Sequence, residues 1–213
     1  MTLQVGLVAK NGFVLASDRK AVRNFRKLPP VEGRTRLNTS SKITKILVST
    51  NGKLVCAFSG SDASAAVARR LIDSCPEKFD TDAQVEEYLR KASQKNGGER
   101  PDNELVIAAI PGAQGVGRLW RILFSPSPVV QLIHDKIYGG EETNPAVYLT
   151  ERYYQESLSV NELASLAVHF ILEGHRLSSS TVGGLDVFVS EDGNESRFLS
   201  DDEKKHLEAA WLC

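Results

Sequence analysis

Residues 2–18 read TLQVGLVAKNGFVLASD, two apolar segments separated by the pair Asn11-Gly12. An Asn-Gly pair between apolar segments favours a type I′ hairpin turn, because both central residues of that turn need positive φ. The stretch therefore predicts an antiparallel hairpin. In such a hairpin Thr2 begins the first strand and Asp18 follows the second, so we expect the two residues to meet at one end of a sheet.

The rest of the chain alternates runs of predicted strands with runs of predicted helices. Asn51-Gly52 marks a second hairpin, between strands at 43–50 and 53–58. Runs of strands between runs of helices are typical of a layered sandwich rather than of alternating βαβ units. We expect one domain over residues 1–213. Further strands are predicted at 104–110, 119–124, 129–134, 136–138, 184–189 and 197–199, and helices at 62–74, 81–93, 145–155, 160–174 and 201–211.

Composition places the chain among ordinary globular proteins and argues against several classes. The chain has 213 residues, which is long enough to bury a full core, and it is 41% hydrophobic and 25% charged. The formal net charge of −1 argues against a general nucleic-acid or membrane-surface partner. No cationic leader with an apolar segment and no membrane-span-length apolar run is found. The three cysteines show neither metal spacing nor a disulfide framework, so we expect a cytoplasmic location.

Thr2 is the candidate nucleophile. If Met1 is removed, residue 2 becomes an N-terminus that bears both a hydroxyl group and a free α-amine. An α-amine has a pKa of about 7.7–8, so it is substantially neutral near physiological pH and can act as a general base for the adjacent hydroxyl. Thr2 would then carry its own base.

A nucleophile of this kind needs a positive charge and an oxyanion donor close to it. Asp18 and Lys42, at the ends of neighbouring predicted strands, are the candidate charged pair, because a buried lysine paired with a carboxylate stabilises a developing alkoxide. Gly60 lies between a predicted strand and the N-terminus of a predicted helix. Its N–H would be free to face an oxyanion there, and the helix dipole would favour the negative charge.

Four blocks of the sequence, taken in order, resemble one family. They are the stretch from Thr2 to Asp18, SSKITKI around Lys42, AFSGSDAS around Gly60, and GGLDVFVSEDG at residues 183–193. This sequence resembles mature proteasome β subunits and bacterial HslV-type peptidases, which are N-terminal nucleophile hydrolases, and so implies a bacterial or archaeal proteasome-like homologue. The resemblance implies an α+β fold, a four-layer α/β/β/α sandwich of two antiparallel sheets between helix layers.

The same resemblance implies a role for each matched residue. Phe58 falls where the family lines its specificity pocket. The backbone of Ala21 and Val22 falls on the segment that pairs with an extended peptide substrate. The catalytic positions implied, in the order nucleophile, supporting charged pair and oxyanion donor, are Thr2, Asp18, Lys42 and Gly60.

Partners follow from the resemblance as well. The family's members assemble as stacked rings around an inner chamber, which implies a homo-oligomeric ring and a peptide or unfolded protein as substrate. An ATP-dependent unfoldase would have to be a separate protein, because this chain has no ATP-binding motif. We expect no metal and no other cofactor. His169 and His175 are spaced so that they point to different faces of a predicted helix, and no HExxH pattern occurs.

Three positions depart from the family pattern. Ser179 lies where catalytic proteasome β subunits have an aspartate, and Val182 lies where they have a serine. The segment beginning at Tyr138, Tyr-Gly-Gly, stands in place of a Gly-Ser-Gly block. These groups orient the amine and its water in the family, so their replacement favours a structural ring subunit without catalysis.

The candidate nucleophile and charged pair favour an enzyme, since an inert subunit has no evident need for them. We therefore expect a threonine-type endopeptidase that hydrolyses peptide bonds through an acyl-ester on Thr2. The alternatives are a non-catalytic structural ring subunit of a proteasome-like assembly, and a peptide ligase or amidase that uses the same nucleophile.

Overall fold

The computed structural model describes residues 2–23, 39–59, 62–94, 105–112, 117–124, 127–140, 144–179 and 182–211. Within these ranges the strands are β1 (Leu3–Ala9), β2 (Gly12–Ser17), β3 (Lys20–Arg23), β4 (Thr39–Lys42), β5 (Ile46–Val48), β6 (Val55–Phe58), β7 (Leu105–Ile110), β8 (Arg118–Leu123), β9 (Val129–Ile133), β10 (Lys136–Gly140), β11 (Asp186–Glu191) and β12 (Arg197–Phe198). The helices are α1 (Asp62–Asp73), α2 (Asp82–Gln94), α3 (Val147–Tyr153), α4 (Val160–Leu177) and α5 (Asp201–Trp211).

The strands form two five-stranded sheets and a separate two-stranded ribbon. The first sheet has the order β10-β1-β2-β11-β12, and the second has the order β5-β6-β7-β8-β9. Every pairing in both sheets is antiparallel. The ribbon consists of β3 and β4 and follows directly on β2 in the chain.

Three apolar clusters show how the elements are layered. One lies between the first sheet and α3, α4 and α5, a second lies between the second sheet and α1 and α2, and the third lies between the two sheets. Burial of these faces from water is the main driving force for the stacking. The expected four-layer α/β/β/α sandwich is therefore confirmed.

The residues of β1 and β2 alternate between the two faces of the first sheet, as strand geometry requires. On β1, Leu3 and Val5 pack in the cluster beneath α4, so the even-numbered residues face the second sheet. On β2, Phe13 and Leu15 pack in the cluster between the sheets. This alternation decides which side chains share the space around residue 2.

Gly12 begins β2 at a position that admits no side chain. Its φ is 146°, and a Cβ there would lie 2.0 Å from the carbonyl oxygen of Ser190 on β11. The hairpin predicted from Asn11-Gly12 is present, although Gly12 is paired with Ala9 and the connecting residues are Lys10 and Asn11. The glycine thus serves the close packing of β2 on β11 as well as the turn.

Helix α4 covers the first sheet with one apolar face. Leu163, Ala167 and Phe170 follow the spacing of a single helix face and are all fully buried. Gly174 continues that face, and a Cβ on it would lie 2.1 Å from a methyl carbon of Leu3. The helix can therefore approach β1 closely beside residue 2.

A capping box holds the N-terminus of α4. The Ser159 hydroxyl accepts a hydrogen bond from the Glu162 N–H, and the Glu162 carboxylate accepts one from the Ser159 N–H at 2.7 Å. Ser159→Ala is expected to lower the free energy of unfolding by about 1 kcal/mol, because the first turn loses an acceptor. Chemical denaturation measures this, with Ser157→Ala, an exposed serine two residues earlier, as the control. Equal unfolding midpoints for the two variants would contradict the capping role.

The strand predicted at 43–50 is shorter than expected. Residues 39–42 belong to β4, which pairs with β3, and only Ile46–Val48 joins the second sheet. The Ile43 N–H donates to the carbonyl of Arg19, which ties the residues after β4 to the connection between β2 and β3. Among the described residues no helix is both long enough and apolar enough to cross a bilayer.

Candidate active site

Thr2 lies immediately before β1 and is buried, with 6% of its surface exposed. Because it is even-numbered on this strand, its side chain is on the face that looks towards the second sheet. Its hydroxyl oxygen, Oγ1, accepts a hydrogen bond of 3.1 Å from Nζ of Lys45. The side chain therefore faces a cation across the space between the sheets.

Asp18 lies at the end of β2 and is fully buried. Its Oδ1 accepts from the Leu3 N–H at 2.9 Å and from the Lys45 ammonium at 2.7 Å. Its Oδ2 accepts from the Lys20 N–H at 2.9 Å. A buried carboxylate with three donors is held in one orientation, so Asp18 fixes both the start of β1 and the position of the lysine.

Lys45 immediately precedes β5 in the second sheet and is 2% exposed. Burial lowers the pKa of its ammonium, and the adjacent Asp18 carboxylate, which also accepts a hydrogen bond from it, opposes that change. A backbone hydrogen bond also holds the residue in place, since the Lys45 carbonyl accepts from the Phe58 N–H at 3.1 Å. Lys45, Asp18 and Thr2 thus form a buried polar cluster that joins the two sheets.

The structure corrects the expected lysine. Lys42 is exposed at the end of β4, where it is paired with Lys20 of β3, and it is not part of the cluster. The segment SSKITKI contains two lysines three residues apart, and the second of them, Lys45, directly precedes β5, whose first residue Ile46 is buried. The strand predicted at 43–50 directly follows Lys42, so adjacency to a strand in the sequence favoured the wrong lysine.

The expected substrate-binding residues fall in different places. Phe58 is corrected: its side chain packs in the cluster between the second sheet and helices α1 and α2, because on β6 Cys56 and Phe58 face the helices while Val55 and Ala57 face the first sheet. Gly60 lies outside the described residues.

Ala21 and Val22 form the middle of β3. They are paired with Ser41 and Ser40 of β4. Their backbone is therefore extended and follows Asp18 within a few residues, as pairing with a peptide would require. Their part in binding a substrate stays a prediction.

The three positions that depart from the family pattern have structural partners. Val182 is fully buried beneath α4, and the carbonyl of Ser179 accepts from the Lys20 ammonium at 2.7 Å. The Tyr138 hydroxyl bonds to Thr150 and donates to Glu151, and burial raises its pKa. None of these three side chains has a hydrogen bond to Thr2 among those seen in the described residues.

The two glycines after Tyr138 lie directly beside Thr2. Gly140 has a φ of 89°, and a Cβ there would lie 1.8 Å from the carbonyl oxygen of Thr2. Gly139 is opposite Gln4 in the pairing of β1 with β10. The close approach of β10 to the start of β1 therefore depends on the absence of a side chain at Gly140, whereas a side chain at Gly139 would meet the flexible side chain of Gln4.

A cavity in the described part of the chain lies apart from this cluster. It has a volume of about 600 Å³ and is lined by residues that include Phe79, Asp82, Arg118 and Trp120, but not by Thr2, Asp18 or Lys45. Its acidic and basic groups are largely paired with one another, as in the Lys78–Asp80 and Arg118–Asp82 ion pairs. The polar cluster, rather than this cavity, is the candidate active site.

Comparison with known proteins gives the fold a counterpart. Anbu from Hyphomicrobium sp. strain MC1 aligns at 17% identity with a TM-score of 0.70, covering 99% of this chain and 93% of that chain. A Gly-1 mutant of that protein aligns at 16% identity with a TM-score of 0.71, covering 100% of this chain and 94% of that chain. Anbu (ancestral beta-subunit) from Yersinia bercovieri aligns at 14% identity with a TM-score of 0.70, covering 99% of this chain and 93% of that chain. Neither a protein-family model nor a curated protein matches the sequence.

These structures correct the resemblance drawn from the sequence. The matching structures described above are those of Anbu rather than of HslV-type peptidases or of proteasome β subunits proper. At 14–17% identity the likeness shows a common fold over the whole chain and no more.

Proposed function

We propose that this protein is an N-terminal threonine hydrolase that cleaves peptide bonds through an acyl-ester on Thr2, after the bond between Met1 and Thr2 has been cut. One observation carries the proposal. A buried lysine, Lys45, donates a hydrogen bond to the Thr2 hydroxyl at 3.1 Å while it is paired with a buried carboxylate, Asp18, at 2.7 Å. A lysine and an aspartate are rarely buried unless they are paired, and this pair is aimed at a hydroxyl group.

The ammonium of Lys45 has a specific effect on the nucleophile. A positive charge beside Oγ1 stabilises the oxygen as negative charge develops on it, and the low dielectric of the buried site strengthens the effect. The same charge disfavours protonation of an α-amine on Thr2. Asp18 keeps the ammonium in place, because removal of water from a charged lysine is unfavourable without a partner.

The reaction can be written with each proton accounted for. The Thr2 α-amine takes the proton from Oγ1 as Oγ1 forms a bond to the scissile carbonyl carbon, whose oxygen becomes an oxyanion. The carbon–nitrogen bond then breaks, and the leaving amine takes the proton from the α-ammonium. Water attacks the ester with the amine again as base, and Oγ1 recovers its proton as the acid product leaves.

The oxyanion needs a donor, and the segment after Phe58 is the place from which it would come. Gly60 precedes Asp62, the first residue of helix α1, by two positions in the chain, and the partial positive charge of a helix N-terminus favours an anion. We assign this role to Gly60, and the extended backbone of Ala21 and Val22 would pair with the substrate.

The fold comparisons support the proposed assembly. The Yersinia bercovieri relative in fold is described as an ancestral beta-subunit. Full-length coverage of that fold supports a subunit of a proteasome-like homo-oligomer. Peptides or unfolded proteins as its substrate follow from the proposed acyl-ester chemistry on Thr2. In a closed ring the cluster would face an inner chamber.

The test is intact-mass spectrometry of the purified protein with and without a peptide epoxyketone. This reagent forms its ring adduct only with a hydroxyl and a free α-amine on the same residue. We expect a mass that lacks Met1 and gains one reagent molecule. Thr2→Ala, which removes the hydroxyl but keeps the site's small size, should lose the adduct.

Two results would contradict the proposal. Protein that retains Met1 has no free amine beside the hydroxyl and would support a structural subunit instead. The second result is protein that lacks Met1 and yet gains no adduct. If an unfolded control peptide with an N-terminal threonine is equally unlabelled, the folded site does not activate the hydroxyl beyond a free N-terminal threonine.

A further inference from the structure

Gln4 is a buried amide near Thr2 that has no hydrogen-bond partner in the described part of the chain. It lies two residues after Thr2 on β1, so both side chains are on the face that looks towards the second sheet. Its side chain is fully buried, and neither Nε2 nor Oε1 has a hydrogen-bond partner among the described residues. A primary amide is seldom buried unpaired, because its hydration is lost without replacement.

The amide of Gln4 lies over Gly139, on the β10 side of β1. Gln4 and Gly139 are directly opposite in the strand pairing. A Cβ on Gly139 would lie 2.3 Å from Nε2 and 2.7 Å from Cγ of Gln4. The glycine therefore leaves a space that the glutamine amide fills.

The backbone nitrogen of Thr2 faces the same side. Both the N–H and the carbonyl of Leu3 bond to Asp18, on the β2 side, at 2.9 Å and 3.0 Å. Successive residues of a strand direct these groups to opposite sides, so those of Thr2 face β10. The position of the Thr2 carbonyl oxygen against Gly140 of β10 agrees with this.

We propose that the side-chain amide of Gln4 positions the α-amine of Thr2, with Oε1 accepting a hydrogen from that amine directly or through one water. This inference rests on the proposed function, since the amine exists only after Met1 has been removed. An acceptor on the β10 side turns the lone pair of the nitrogen towards Oγ1, where it is needed as the base. Gln4 is thus a positioning residue and takes part in no covalent step.

The role has a consequence for pH dependence. Among the described residues, the charged groups at Thr2 are Lys45 and Asp18, while Ser17, opposite Gln4 on β2, and the glycines of β10 are neutral. An acceptor hydrogen bond favours the protonated amine, so it raises the pKa of the amine against the effect of Lys45. Loss of the acceptor should lower that pKa and also leave the lone pair less well directed.

The experiment measures the rate of epoxyketone labelling across neutral and alkaline pH in protein that lacks Met1. Gln4→Met keeps the volume and removes the acceptor. We expect its labelling rate at the alkaline plateau to fall about tenfold, and its pH midpoint to move lower by about half a unit. Gly139→Ala, which pushes the flexible end of Gln4 away, should shift the midpoint in the same direction and serves if Gln4→Met does not fold.

Val8→Ala is the matched control, because Val8 is on the same face of β1 and packs between the sheets away from Thr2. Its midpoint should equal that of the unmodified protein. The contrary result is a pH midpoint of labelling that stays the same or rises in both Gln4→Met and Gly139→Ala, while the unsubstituted protein is labelled normally. Gln4 would then be a packing residue only. Absence of labelling in the unsubstituted protein would overturn the nucleophile itself, and with it this role.

Discussion

Replacement of Lys45 by methionine is expected to reduce epoxyketone labelling and peptide hydrolysis about a thousandfold, whereas Lys42→Met leaves both within a factor of about two. Lys45 is buried and donates to Oγ1 of Thr2, and methionine keeps most of its volume while it removes the only charge that contacts the hydroxyl among the described residues. Lys42 is exposed at the end of β4. The measurement is the rate of adduct formation by mass spectrometry under identical conditions.

The pair of lysines makes the comparison strict. Both belong to the segment SSKITKI, and the substitution is chemically the same at each position. Equal losses in the two variants would mean that charge near the ribbon, rather than contact with Oγ1, supports the reaction. Full activity of Lys45→Met would refute the proposed role of the cluster.

Asp18→Asn is expected to lower the free energy of unfolding by about 3–5 kcal/mol, the largest loss of stability that we predict. The substitution preserves shape but leaves the buried Lys45 ammonium without a counter-charge. Denaturation in urea measures the loss. Asp186→Asn is the control, since the ion pair of Asp186 with Arg19 is longer, at 3.4 Å, and more exposed.

The stability of Asp18→Asn should also depend on pH with a definite sign. Burial lowers the pKa of Lys45 and Asp18 opposes this, so its removal lowers the pKa further. In the variant the folded state favours the neutral lysine, and the unfolded chain binds the extra proton up to the ordinary lysine pKa of 10.5. Stability should therefore be lowest at acidic and neutral pH and rise as the pH approaches that value. A loss that is the same at all pH values would show that Lys45 is not the group left unpaired.

The double variant Asp18→Asn/Lys45→Met, compared with the two single variants, forms a double-mutant cycle that measures the interaction between the two side chains. With neither charge present, no buried ion lacks a partner, so the double variant should be more stable than Asp18→Asn alone. Strict additivity of the two single losses would show that the two side chains do not interact.

Much of the fold could be predicted from local pattern. The two apolar segments around Asn11-Gly12 predict the hairpin of β1 and β2, and the serine and glutamate at 159 and 162 predict the start of α4. Both depend on groups a few residues apart, where backbone preference and side-chain capping act without help from the rest of the chain. The proximity of Thr2 and Asp18 could be predicted for the same reason, since a hairpin places its two ends side by side.

The sequence alone determined the layered α+β architecture, the hairpin that joins Thr2 to Asp18, and the presence of a hydroxyl at residue 2 that could become a nucleophile. Only the tertiary structure decided that Lys45 rather than Lys42 reaches that hydroxyl, that Phe58 faces the helices, and that Gln4 lies buried beside the candidate amine. Each of these depends on how the second sheet, or β10, is placed against β1. Such placement comes from the burial of surfaces that are far apart in the chain. Two residues only three positions apart, such as Lys42 and Lys45, can therefore lie one outside and one inside the contact between the sheets.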